Sequence, residues 1–127
     1  MKKVLLVDDD ALIRRFLKMH FENGGYHVVE AENGQDALNK AENETPDLIV
    51  MDMNMPVMTG WDAARELKTP GAATAEIPII ALTAQKTPED KNAAHESGCD
   101  TFVEKPIEQE RLFQAVERVL SQKRPAA

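Results

Sequence analysis

Four short apolar runs in this chain each end in a group able to do polar chemistry. Val4-Leu5-Leu6-Val7 runs into Asp8-Asp9-Asp10, and Leu48-Ile49-Val50-Met51 into Asp52. Ile77-Pro78-Ile79-Ile80-Ala81-Leu82 runs into Thr83, and Thr101-Phe102-Val103-Glu104 into Lys105-Pro106. Carboxylates that converge in one cleft repel each other and raise one another's pKa unless a cation joins them. A hard divalent cation such as Mg²⁺ takes oxygen ligands of this kind. An ammonium and a hydroxyl are suited to the oxygens of a phosphoryl group. The set therefore points to a divalent cation and a phosphoryl group held together.

That chemistry requires elements that bring the four runs to one edge. Short apolar runs alternating with longer segments of helical period read as buried parallel strands with crossover helices. The spacing predicts strands at 3–7, 27–31, 47–51, 77–82 and 100–104, and helices at 11–22, 35–43, 61–68, 88–97 and 107–121. Gly24-Gly25, Asn33-Gly34, Pro46, Asn54-Met55-Pro56, Thr59-Gly60, Pro88 and Gly98 punctuate them. Asp10 is the expected cap of the first helix, whose apolar residues are Leu12, Phe16, Leu17 and Met19. Ile107, Leu112, Phe113, Val116 and Leu120 form the stripe of the last helix. Strict alternation with right-handed crossovers gives an α/β fold, a single doubly wound five-stranded parallel sheet with five helices. Ligands of such sheets bind outside the carboxyl ends of the strands, where all four polar groups fall.

Composition narrows the partners. A net charge of -7 argues against direct nucleic acid or an anionic membrane surface. Cys99 is the one cysteine, which excludes an internal disulfide and fits a reducing compartment. The apolar stretch after Met1-Lys2-Lys3 is too short for a signal peptide, and no run is long enough to span a membrane. The expected location is the cytoplasm. His20, His27 and His95 share no metal-ligand spacing, Cys99 reads as a small buried hydrophobe, and Met51, Met53, Met55 and Met58 read as core filling.

Val7-Asp8-Asp9, Met51-Asp52-Met53-Asn54-Met55-Pro56 with Thr59-Gly60, Leu82-Thr83-Ala84 and Lys105-Pro106 together resemble the motif set of receiver domains from bacterial two-component response regulators. The order and approximate spacing match from the first strand to the final helix, and the likeness is to the single-domain, chemotaxis-receiver type. Each motif alone is weak; the four together, each past a predicted strand, are specific. The resemblance implies a flavodoxin-like sheet of order 2-1-3-4-5. It makes residues 1–121 a receiver domain, with 122–127 a short frayed tail, and implies action without an output domain within the chain. A receiver excised from a hybrid histidine kinase or a larger regulator is the alternative.

The roles carried over are implied by the resemblance, position by position. Asp52 is the phosphoacceptor, accepting a phosphoryl group from a histidine kinase or a histidine phosphotransfer protein. Asp8, Asp9, Asp52 and the backbone carbonyl of Asn54 hold Mg²⁺, with Mn²⁺ a possible substitute and Asp8 acting through a bound water. Lys105 pairs with the phosphoryl oxygens and Thr83 bonds one of them. Thr83 and Phe102 form the switch, which acts by packing alone because Phe102 lacks a hydroxyl. Gln85 and Glu104 occupy positions the family varies, and Gln85 bears on how long the phosphoryl group survives. Such a domain is no classical enzyme, although it catalyses its own phosphorylation and dephosphorylation. It signals to a downstream protein target through the helix at 88–97, the last strand and the last helix, as a monomer or weak dimer. A flavodoxin-like cofactor binder is disfavoured because Asp8-Asp9-Asp10 repels the phosphate its first loop should cradle. An aspartate-nucleophile phosphatase is disfavoured because Asp52-Met53-Asn54-Met55-Pro56 lacks that family's second acid and threonine.

Overall fold

A computed structural model describes residues 2–53, 55, 58–83, 98–105 and 107–122. Its strands are β1 (Lys3–Val7), β2 (His27–Ala31), β3 (Leu48–Asp52), β4 (Ile79–Thr83) and β5 (Thr101–Glu104). The described helices are α1 (Ala11–Asn23), α2 (Gly34–Glu44), α3 (Gly60–Leu67) and α4 (Gln109–Gln122). The helix expected at 88–97 lies outside the described residues. All neighbouring strands pair in parallel in the order β2-β1-β3-β4-β5.

The period-two alternation of the strands divides the core in two. Leu5, Val7, Ile49, Met51, Ile79 and Ala81 face one side, against Ala37 and Ala41 of α2 and Ala63, Ala64 and Leu67 of α3. Val4, Leu6, Leu48, Val50, Ile80 and Leu82 face the other, against Leu17 and Phe21 of α1 and Leu112, Val116 and Val119 of α4. The central strands β3 and β4 are buried at every residue, as strands covered on both faces must be.

The buried face of α1 matches the expected apolar set at Leu17 and differs at the other three. Leu17 and Phe21 are its buried residues, while Leu12, Phe16 and Met19 are 76%, 42% and 53% exposed. The helix carries two apolar stripes side by side, and only the one ending in Phe21 meets the sheet. Phe21 stacks edge-on against Tyr26 with ring centroids 5.2 Å apart and packs on Phe113 of α4 at 4.9 Å. Those aromatic contacts, one local and one long-range, set the rotation of the helix. Its start is local: Asp10 caps it, accepting from the Leu12 and Ile13 N–H groups.

Candidate functional site

The sheet delivers its polar groups where the strands end. Asp8 and Asp9 follow β1, Asp52 is the last residue of β3 and Thr83 the last of β4, while Lys105 follows β5. Strands β3 and β4 run in register, with Asp52 opposite Leu82. The chain leaves both in parallel, and the Met53 N–H donates to the Leu82 carbonyl at 3.0 Å. Lys105 is tied to the same edge, because its N–H donates to the Thr83 carbonyl at 2.8 Å. Its side chain then reaches across β4, and Lys105 Nζ lies 3.1 Å from Asp52 Oδ1.

Carboxylate oxygens of Asp8, Asp9 and Asp52 lie within 4.8 Å of one another. Asp8 and Asp52 are buried, at 1% and 3% exposure, while Asp9 is open to solvent. Asp8 Oδ1 accepts the Asp10 N–H at 2.8 Å, but its Oδ2 is buried and, among the described residues, without a hydrogen-bond partner. Burial pushes the Asp8 carboxyl up to about 6; the Asp10 N–H opposes that rise, and the Asp52 charge adds to it. A buried carboxylate oxygen left unsatisfied is costly. One ammonium set against three carboxylates leaves the pocket negative. The donors are all oxygen, the set chosen by Mg²⁺, Mn²⁺ or Ca²⁺. The residues present therefore fit a divalent cation.

Asp8, Asp9, Asp52, Thr83 and Lys105 lie at this edge of the sheet, whereas Phe102 sits further back within β5. Thr83 is 2% exposed. Phe102 is half-buried on β5 opposite Ala81 and packs against the α2–α3 side of the core. With Val103, Glu104 and four residues of α4 it also borders a surface groove of about 340 Å³. Asn54, Gln85 and His95 lie outside the described residues. β4 ends one residue later than expected, so Thr83 is part of the strand and leaves it in a fixed direction.

Two residues at the site carry roles that pattern reading did not assign. Arg14 on α1 donates from Nη1 to the Asp8 carbonyl at 2.8 Å. Gly60, read from sequence as part of a turn and of the Thr59-Gly60 motif, opens α3 directly against the end of β3. A Cβ there would lie 2.5 Å from the Asp52 carbonyl oxygen and 2.7 Å from Met53 Cα. Backbone cannot yield as a side-chain tip can, so Gly60→Ala is expected to cost about 3 kcal/mol, the upper range of overpacking. A lower urea midpoint at unchanged m measures it, and an unaltered midpoint would disprove the close approach.

Among the described residues, no helix is long and apolar enough to cross a membrane. The family model of the response regulator receiver domain matches residues 4–117. The chain is 36% identical to the alkaline phosphatase synthesis transcriptional regulatory protein PhoP of Bacillus subtilis, covering 99% of this chain and 51% of PhoP. It is 35% identical to protein PilH of Pseudomonas aeruginosa, covering 95% of this chain and 99% of PilH. The chain thus spans about half the length of the transcriptional regulators it matches and nearly all of PilH. In structure it is similar to the receiver domain of a sensor histidine kinase from Pseudomonas aeruginosa, which has a magnesium ion coordinated in its active-site cleft. The TM-score is 0.85 at 28% identity, over 94% of this chain and 98% of that one. A match running from β1 into α4, on a sheet whose acidic edge lies where the family's motifs place it, shows that the chain belongs to the response regulator receiver domains of two-component signalling.

Proposed function

We propose that Asp52 is the phosphoacceptor of this receiver, and that Asp8, Asp9 and Asp52 hold Mg²⁺ beside it, with the Asn54 carbonyl as a further ligand and Mn²⁺ a working substitute. The observation that carries the reading is the Asp52–Lys105 contact of 3.1 Å beside the Asp8–Asp9 pair. Bound magnesium supplies neutralisation of the phosphoryl oxygens. Asp52 Oδ attacks phosphorus while the phosphorus–nitrogen bond of a partner's phosphohistidine breaks; the bonding pair stays on the imidazole, which takes up a proton. Lys105 moves from Asp52 to a phosphoryl oxygen, and Thr83 offers its hydroxyl to another. Positioning and charge neutralisation are the main work of such a transfer.

The phosphodonor is a histidine kinase or a histidine phosphotransfer protein, and the output is contact with a downstream protein through the face formed by β5 and α4. Thr83 and Phe102 couple the two, Thr83 drawing toward the phosphoryl group and Phe102 repacking inward. This shifts an existing equilibrium. Incubation with acetyl phosphate and Mg²⁺ is expected to add one phosphoryl group by intact mass, and excess chelator to stop the reaction. Uptake at full rate in chelator would refute the role of the acidic cluster.

A further inference from the structure

The loop that carries Asp8 and Asp9 is held by a cation to which the proposed transfer gives no part. Arg14 lies one turn past the Asp10 cap, and helical side chains lean toward the helix N-terminus. Its guanidinium therefore returns over the β1–α1 loop, where Nη1 donates to the Asp8 carbonyl at 2.8 Å and Nε to Glu30 Oε1 at 3.3 Å. The Arg14 side chain is 17% exposed. Glu30 is itself braced: it is part of β2, its carbonyl accepts from Lys40 Nζ at 2.9 Å, and its carboxylate also pairs with Lys18 at 3.6 Å. On the other side the Asp8 N–H donates to the Ala31 carbonyl at 3.2 Å. Asp8 is thus pinned at both ends of its backbone to β2, once directly and once through Arg14. The carbonyl that Arg14 holds belongs to the peptide joining Asp8 to Asp9. Its plane governs the directions in which both carboxylates leave the chain.

We infer that Arg14, braced by Glu30, is a positioning residue that aims the Asp8 and Asp9 carboxylates at the cation site; the inference rests on the metal-holding role proposed above. The fixed fork of a guanidinium spans a carbonyl and a carboxylate at once, which a lysine point charge does not. Simple electrostatics makes the opposite forecast for the arginine's removal. Taking a positive charge away from a cation site should tighten cation binding. Positioning, in contrast, makes its removal harmful.

Calorimetric Mg²⁺ titration at constant ionic strength separates these forecasts, using wild type, Arg14→Met, Lys18→Met, Glu30→Gln and Asp9→Ala. Arg14→Met is expected to weaken Mg²⁺ binding about tenfold, as loss of a partner behind a metal ligand does. Lys18→Met removes the same charge from the same Glu30 carboxylate without touching Asp8, and should leave affinity unchanged or raise it. Glu30→Gln should give a smaller loss than Arg14→Met. Unchanged or tighter binding in Arg14→Met, or an equal loss in Lys18→Met, overturns the inference. Should Arg14→Met fail to fold, undiminished affinity in Glu30→Gln overturns it instead. Wild-type protein that binds no Mg²⁺ overturns the metal-holding role and this inference together. Full affinity in Asp9→Ala contradicts the proposed ligand set, and with it the aim ascribed to Arg14.

Discussion

Asp52→Asn protein is expected to take up no phosphoryl group from acetyl phosphate in Mg²⁺, under conditions where the wild type takes up one. The carboxylate is the nucleophile in this reading, and an amide of the same shape is not one. The competing carboxylates are differently placed. Asp8 is committed through Oδ1 to the Asp10 N–H, and Asp9 is open to solvent. Lys105, the group that would follow the phosphoryl oxygens, reaches Asp52 at 3.1 Å. An asparagine oxygen still accepts from that ammonium, so the fold should survive within the ordinary range of about 1 kcal/mol for a substitution that preserves shape. Intact mass reads the uptake, and urea unfolding of the same samples excludes misfolding as its cause. Undiminished labelling in this variant would remove Asp52 from the role.

The central strands were readable because a strand covered on both faces needs no partner to be recognised, whereas the order of the strands in the sheet came from the family resemblance alone. Leu48-Ile49-Val50-Met51 is apolar at every position, and β3 is buried at every position. The site was readable for a related reason. A polar residue just past such a run has one place to go, the carboxyl edge of the sheet, and Asp8, Asp9, Asp52 and Lys105 all go there. The Asp10 cap was equally local, since it depends only on the two N–H groups that follow it.

What could not be read depends on contacts distant in sequence. Leu12, Phe16 and Met19 recur at helical spacing as convincingly as Ile13, Leu17 and Phe21 do, and periodicity alone does not choose between two such stripes. Phe113, nearly a hundred residues away in sequence, decides the matter by packing on Phe21. Gly60 shows as a turn and motif residue, but its close approach to backbone appears only when α3 is seen lying against the Asp52 carbonyl. Arg14 reads as one more surface charge on α1, because Asp8, its acceptor, is fixed by β1 and Glu30 by β2. In each case the missing quantity is the placement of one element against another.

Asp8→Asn is expected to stabilise the metal-free protein while weakening its hold on Mg²⁺, the second large effect the site predicts. Burial and the Asp52 charge hold the Asp8 carboxyl at about 6 in the folded protein, against 3.8 for the ordinary group. Between these values the folded form binds more protons than the unfolded one. The Asp8 contribution to stability therefore falls as pH rises from about 4 to 6 and stays at its lower level above that window. With 1.36 kcal/mol for each unit, the loss is on the order of 2–3 kcal/mol. An asparagine carries no charge to bury, yet its side-chain oxygen keeps the Asp10 N–H. The variant should therefore lose the slope between pH 4 and 6 and be more stable than wild type at neutral pH without metal. The same proton competes with the cation, so wild-type Mg²⁺ affinity should decline below pH 6 and hold steady above it. Chemical unfolding at pH 4, 5, 6 and 7, in chelator and then in Mg²⁺, measures both limbs. A wild-type stability that does not fall relative to that of Asp8→Asn from pH 4 to 6 in chelator would show that Asp8 is ionised throughout. The buried Asp8 Oδ2, partnerless among the described residues, would then have lost its claim to be a site kept for a cation.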